Sequence, residues 1–395
     1  MRIGMILDKT YPPDPRVENE ALSLIKAGHQ VFLFCLTYKG ENSQENYKGI
    51  EVKRYRSNKI AYKLSALAYE LPFYSLFLKP KIKHFINSNA IEVLHIHDIR
   101  IAGSVYKINE QLKLPIILDL HDNYPEVMKA YPHLQKFPGK YIISPKLWIR
   151  KEQYFIEKAN YVISVSDEFI ESLKNRLINN KEKVVLVPNS VRSDFYTNTF
   201  INSEIVTKFE DNFVLLYIGD TGLRRGLQTA IAAIPIIKKT ISNIKLVIVG
   251  KSTTDYVLKQ QVQDLKIKDN VSFEGWKNEK LLASYIVTSS IGISPLIRSK
   301  HHDLAYANKL FQYMSLGLPV LVSNATAQKR LVEKSKTGLV HLEKDTADFT
   351  SKVILMYQKK AIYNKFKNNA IAFIKEEFNW EITSKDLIKM YKQLS

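Results

Sequence analysis

Two short stretches of this chain combine residue types that can neutralise and orient a phosphorylated ligand. The first runs Tyr217-Ile218-Gly219-Asp220-Thr221-Gly222-Leu223-Arg224-Arg225-Gly226. An apolar strand stops at glycine, turns, and presents two arginines just before a helical stretch. Guanidinium groups and the amides of a helix N-terminus can together neutralise a pyrophosphate. The turn lacks the three-glycine dinucleotide spacing and the lysine of a nucleoside-triphosphate loop, and taken alone it reads equally well as plain scaffolding. The second stretch, Tyr306 to Val320, reads as a helix capped by Gly317 and followed at once by a strand. Leu310, Phe311 and Met314 fall on one face at helical spacing, which leaves Asn308, Lys309 and Gln312 near the N-terminal end, beside the positive dipole. Together the two stretches make an anion and ribose site.

Three further groups stand at positions where chemistry is done. His121 follows the apolar run Ile116–Leu120, and a side chain just past the carboxyl end of a parallel strand points toward a ligand crevice. Asp122 and Glu126 lie in the same loop and are further candidates for facing that crevice. Arg16 closes the segment Pro12-Pro13-Asp14-Pro15-Arg16 after the first strand, where prolines offer no amide donors and an arginine can compensate. A first-turn surface arginine would look the same. His95 and His97 alternate on one strand and so face one way, but no cysteine or third ligand nearby completes a shell, so no metal is expected.

These residues need sheets to hold them, and the chain supplies two sets. Apolar runs at Arg2–Leu7, Val31–Leu36, Val93–Ile96, Ile116–Leu120, Tyr161–Val165 and Val184–Val187 alternate with stretches of helical period. The pattern restarts after Pro188-Asn189-Ser190, with strands at Val214–Ile218, Lys245–Val249, Val271–Glu274, Ile291–Ser294 and Val320–Val322. Gly219 and Gly250 each follow a strand end. Pro15 opens a first helix with Val17, Ala21, Leu24 and Ile25 on one face, ended by Gly28. The domains are placed at residues 1–190 and 191–378, with a C-terminal helix over 379–395 that can pack back on the first domain.

With 395 residues, 45% of them hydrophobic, the chain can fill two cores. The apolar run from Met1 reaches only Leu7 before Asp8 and Lys9, too short for a signal-peptide core. Leu64–Leu78 is broken by Glu70 and Pro72 and falls short of the roughly 18–20 residues of a membrane span. A single cysteine, Cys35, excludes an internal disulfide and fits a reducing compartment. A cytoplasmic location is expected.

The two stretches, with Asp14-Pro15-Arg16-Val17, Ala27-Gly28-His29 and Pro188-Asn189, resemble the family-four (group 1) glycosyltransferases. The best signature is Asn308-Lys309-Leu310-Phe311-Gln312-Tyr313-Met314 followed by Gly317 and Pro319. The resemblance implies an α/β fold of GT-B type, with two Rossmann-like, doubly wound parallel-sheet domains facing a cleft. It implies sugar transfer from a nucleotide-diphosphate donor to a hydroxyl, with retention, without metal or cofactor, in synthesis of envelope, capsule or other surface polysaccharide. By the same resemblance the second domain holds the donor, with Gly219 in the turn, Arg225 and its helper Arg224 on the pyrophosphate, and Asn308 and Lys309 near phosphate or sugar. Gln312 meets the ribose where a glutamate is usual, and Leu304 stands where an earlier glutamate is expected. His121 lies against the sugar, Asp122 and Glu126 on the acceptor side, and Arg16 in the loop that approaches the donor. The alternatives are a sugar-nucleotide epimerase or phosphorylase of the same architecture, whose signatures the chain lacks, and a non-catalytic nucleotide-binding or scaffold relative.

A formal charge of +19 calls for an acidic partner. Basic and aromatic residues interleave between Lys53 and His84, with Tyr62, Tyr69, Phe73, Tyr74 and Phe77, and between Lys129 and Lys151, with Tyr131, Phe137, Tyr141 and Trp148. That mixture suits the interface of an anionic membrane better than nucleic acid, for which no recognition module is present. Peripheral contact with the inner face of the cell membrane is expected, with a glycan or lipid-linked acceptor.

Overall fold

A computed structural model describes residues 1–129, 134, 137 and 139–394. The chain forms two compact units, Met1–Pro188 with the C-terminal residues from Ser384, and Asn189–Thr383.

The first unit is an eight-stranded sheet. In chain order its strands are β1 (Arg2–Ile6), β2 (Gln30–Thr37), β3 (Gln44–Tyr47), β4 (Ile50–Arg56), β5 (Val93–His97), β6 (Ile116–Leu120), β7 (Tyr161–Ser164) and β8 (Val184–Leu186). They lie in the order β3-β4-β2-β1-β5-β6-β7-β8. Every pairing is parallel except β3 with β4. Successive strands are added to one side of β1 as far as β4 and to the other side from β5 onward, so the loops after β1 and β5 diverge and leave a crevice at their carboxyl ends. The helix Pro15–Lys26 follows β1, with Asp14 accepting from the Val17 amide as its N-cap. Its buried face carries Arg16 and Glu20 as well as Val17, Ala21 and Leu24. The helix Lys385–Lys392 belongs to this unit, whereas the short helix Trp380–Thr383 belongs to the other.

The second unit has six parallel strands, β9 (Phe213–Ile218), β10 (Ile244–Val249), β11 (Val271–Gly275), β12 (Ile291–Ser294), β13 (Val320–Ser323) and β14 (Gly338–His341), in the order β11-β10-β9-β12-β13-β14. Alternate β9 side chains enter separate cores, Val214, Leu216 and Ile218 on one face and Leu215 and Tyr217 on the other. The switch point here lies between β9 and β12. The turn after β9 and the loop after β12 touch there, where the Ile297 amide donates to the Arg224 carbonyl at 3.1 Å.

Gly226 makes that contact possible. It has φ +75°, and a Cβ at this position would sit 1.8 Å from the Pro295 carbonyl oxygen. The left-handed backbone alone costs a larger residue about 1–3 kcal/mol, and the clash adds to it. Gly226→Ala is expected to lower the thermal unfolding midpoint and to displace the arginine turn. An unchanged midpoint in a thermal melt would contradict this.

Folding sorts the basic and aromatic clusters of the first unit. Trp148 and Tyr74 are core residues, and the Trp148 indole donates to Glu70 at 3.1 Å. Arg54 is buried in β4 and paired with Glu45. Tyr62, Phe73, Leu76, Phe137 and Tyr141 remain exposed. Tyr131 lies outside the described residues. No helix among the described residues is long and apolar enough to cross a membrane.

Candidate functional site

In the second unit the residues read from sequence converge at the switch point. Gly219, with φ +122°, ends β9 and lets the chain turn so that Arg224 and Arg225 sit on a short turn of helix ahead of Leu227–Ile237. One carboxylate faces them. Asp220 Oδ2 lies 3.2 Å from Arg225 Nε and 3.7 Å from Arg224 Nη2. The Gly222 amide donates to the other oxygen of Asp220 at 3.2 Å, and the Tyr217 hydroxyl to its carbonyl at 2.6 Å. Asp220 therefore keeps the two arginines gathered at the end of β9. Nothing in the sequence marked it beyond its place in the turn.

Lys309 reaches the same spot from the helix Lys309–Ser315. Its Nζ lies 3.4 Å from the centroid of the Tyr217 ring. A Cβ on Gly219 would stand 3.6 Å from that nitrogen, so glycine leaves the amine room. Burial, reinforced by the Arg225 charge, holds the Lys309 amine well below the usual lysine range. Among the described residues this amine has no hydrogen bond or ion pair. His301 and His302, which sequence reading passed over, lie near the same arginines as neutral imidazoles. Burial first, then the neighbouring cations, pushes His301 down to about 3 and His302 to about 4. Arg224, Arg225 and the Lys309 amine thus gather around the end of β9, faced by the Asp220 carboxylate, an arrangement suited to an anionic ligand.

The remaining expectations for this unit divide. Leu310, Phe311 and Met314 are buried, Asn308 is exposed and Gln312 half-buried. The Asn308 and Gln312 amides make no side-chain hydrogen bond among the described residues. Asp303, beside Leu304, is engaged elsewhere, accepting from Arg298 at 3.2 Å and from the Thr326 amide at 2.8 Å. It therefore does not replace the missing glutamate as a free carboxylate.

In the first unit, the structure brings His121 into a buried array of charges. Its Nδ1 is 3.3 Å from Asp119 Oδ2 and its Nε2 is 3.2 Å from Asp98 Oδ2. Burial opposes charge on the imidazole, but the two carboxylates outweigh it and hold His121 well above the ordinary histidine range. Asp119 also binds Arg16 in a two-pronged pair, Nε to Oδ2 at 2.8 Å and Nη2 to Oδ1 at 2.7 Å, and takes His97 Nδ1 at 3.1 Å. Asp122 lies half-buried in the loop beyond His121, and Glu126 pairs with Lys129 at 2.7 Å on the short helix Tyr124–Met128.

Two expectations are corrected here. Arg16 was expected toward a donor, yet it is 7% exposed and turned inward. Its guanidinium is held by Asp119, by Glu20 at 2.9 Å and by the Val187 carbonyl at 2.9 Å. An arginine on the buried face of a helix finds buried acids because a lone charge there would be costly. His95 and His97 were expected to lack a third metal ligand nearby. The fold supplies two, for Glu20 and Asp119 bring oxygens within 4.8 Å of the histidine nitrogens. Asp98, His121 and Asp122 form a similar group. No ion is assigned to either, since Arg16 and the His121 cation already face these carboxylates.

Comparison with known proteins follows the same division of the chain. Residues 16–195 match the model of Glycosyltransferase Family 4, and residues 198–373 match that of Glycosyl transferases group 1. The alpha-monoglucosyldiacylglycerol synthase of Streptococcus pneumoniae is 22% identical, over 86% of this chain and 75% of its own length. The capsular polysaccharide biosynthesis glycosyltransferase CapM of Staphylococcus aureus is also 22% identical, over 60% of this chain and 64% of its own. Among solved structures, sucrose-phosphate synthase from Thermosynechococcus elongatus superposes with a TM-score of 0.79 at 18% identity, covering 100% of this chain and 99% of that one. Anabaena HepE, solved in complex with UDP, gives 0.75 at 14% identity, with 100% of both chains covered.

Proposed function

This chain belongs to the family-four, group 1 glycosyltransferases and has their GT-B fold of two parallel-sheet domains, and from that premise we propose that it moves a sugar from a nucleotide-diphosphate donor to a hydroxyl acceptor. The second unit holds the donor. The observation that carries this reading is the convergence of Arg224, Arg225 and Lys309 on the end of β9 around the exposed Asp220 carboxylate. A diphosphate entering there meets cations already gathered by Asp220, and as the sugar bond breaks the same groups stabilise the charge that develops on the leaving diphosphate. They do this without a metal. Gln312 hydrogen-bonds the ribose, and Asn308 approaches the phosphates or sugar. His121 acts on the transferred sugar, and transfer proceeds with retention.

The pool of relatives supports a role in surface glycan or glycolipid synthesis, because one is named for capsular polysaccharide and another for a glucosyl lipid. The test is a thermal-shift screen with uridine, guanosine, adenosine and thymidine diphosphate sugars. One base is expected to raise the unfolding midpoint, as any ligand that binds only the folded state must. No shift with any of the four would overturn the donor reading.

Peripheral contact with an anionic membrane is part of the same proposal. Its support is the exposed apolar set Tyr62, Phe73, Leu76, Phe137 and Tyr141 in the first unit, beside lysines such as Lys59, Lys63 and Lys83 that are themselves exposed. Each basic residue near anionic lipid contributes on the order of 1 kcal/mol. At low salt the protein is expected to float with phosphatidylglycerol-containing vesicles and to stay behind with purely phosphatidylcholine ones. Equal recovery in the soluble fraction with both would contradict it.

A further inference from the structure

Asp98 links β5 to the helix Ile99–Leu112, and it has φ +66° and ψ 161°. That region of backbone space is reached by a non-glycine residue only at a cost. An aspartate before a helix usually contributes by accepting from an amide of the first turn. Asp14 does so for its own helix, and Asn58, Ser144 and Ser166 do the same in this unit. Asp98 makes no such bond. Its carboxylate turns away, Oδ2 toward Nε2 of His121 at 3.2 Å and toward Nζ of Lys9 at 3.7 Å, while Oδ1 is buried without a partner. The residue thus carries backbone strain and an orphaned oxygen and gives its helix nothing in return. What it does provide is a second carboxylate on His121.

We propose that Asp98 is a positioning residue for sugar transfer, using its strained backbone to lock His121 between two carboxylates. The proposal rests on the reading that His121 takes part in transfer. Asp119 engages Nδ1 and Asp98 engages Nε2, so both ring nitrogens are fixed and the ring cannot turn without breaking a contact. Ionised carboxylates only accept hydrogen bonds, so both nitrogens must donate and His121 is held as an imidazolium. The charged and titratable groups around it are Asp98, Asp119, Asp122, Glu20, His95 and His97, with Arg16 behind Asp119 and Lys9 behind Asp98. Removing the Asp98 charge leaves burial, which opposes the cation, against one carboxylate in direct contact with the ring instead of two, with Asp122 further out.

The full-length chain tests this with Asp98→Asn, Asp98→Gly and His121→Ala. Ring resonances of His121 are followed against pH by NMR, together with the pH profile of nucleoside diphosphate release from UDP-, GDP-, ADP- and TDP-linked glucose. In Asp98→Asn the protonation midpoint of His121 is expected to fall by on the order of one to three pH units, and the alkaline limb of the release profile to fall with it. Asp98→Gly removes the strain together with the carboxylate and is expected to give the same shift, so the result does not depend on one variant folding. A His121 midpoint unchanged in both variants overturns the proposal. A shifted midpoint alongside wild-type release by His121→Ala means that Asp98 positions His121 but that the reading of His121 in transfer is wrong.

Discussion

Arg225→Ala is expected to lower turnover by about two to three orders of magnitude while leaving the fold nearly as stable as before. The size follows from where the charge is needed. When the bond between sugar and diphosphate breaks, negative charge grows on the leaving group, and a preorganised guanidinium stabilises that charge far more than it stabilises the intact donor. The small effect on stability follows from the partner. Asp220 is 43% exposed at its side chain, and an ion pair this open contributes about 0–1 kcal/mol. Arg224 and Lys309 remain, so nucleotide still binds, though more weakly. Steady-state kinetics together with a thermal melt check this. Turnover within threefold of wild type and an unchanged donor affinity would remove Arg225 from the mechanism.

Arg16→Ala should behave in the opposite way. Its guanidinium lies between Asp119 and Glu20, and each of these side chains is 0% exposed. Taking the arginine away leaves Asp119 without its strongest partner in a site that water does not reach. Breaking a buried pair by removing one member costs about 3–5 kcal/mol. Glu20, already raised by burial, would take up a proton more readily without the cation. The chain should therefore lose denaturant resistance steeply, while nucleoside diphosphate affinity, which the proposed function assigns to the other unit, stays within about twofold. Calorimetric titration of UDP, GDP, ADP and TDP at a temperature where the variant is folded separates the two effects. A large loss of affinity with unchanged denaturation would return Arg16 to the donor.

The contrast between these two arginines shows what the sequence could and could not reveal. Arg225 sits in a turn bounded by Gly219 and Gly226, and both glycines adopt positive φ, so local residue types carry the turn. Arg16 sits at the start of a helix whose apolar period is plain, but its partners arrive from β6 and from one turn further along the helix. Asp119 is 103 residues away in the chain, and nothing local announces it. His121 divides in the same manner. Its place after a strand was legible, whereas its pairing with Asp98 and Asp119 is a product of strand order, in which β5 and β6 lie side by side.

Strands were legible where apolar residues ran together and were missed where charge interrupted them. β4 reads Ile50-Glu51-Val52-Lys53-Arg54-Tyr55-Arg56, and its inward positions alternate, but its basic residues drew attention to the surface instead. Arg54 is one of those inward positions, which is why part of the basic cluster proves to be interior. β14 is only Gly338–His341, too short for periodicity to declare. Lys309 illustrates a further limit. Its position on a helix was clear, but its place over the Tyr217 ring depends on two elements more than 90 residues apart meeting at the switch point, a contact that only the assembled sheet defines.

In the proposed function, cations at the end of β9 hold the diphosphate of a sugar donor for transfer. This is tested most directly by release of nucleoside diphosphate from UDP-, GDP-, ADP- and TDP-linked sugars in the presence of envelope lipid and glycan acceptors, with Arg225→Ala as the paired control. One nucleotide class is expected to support release matched mole for mole by a new glycosidic product, and the variant to lose both. Release no greater than that of heat-denatured protein with every donor would contradict it.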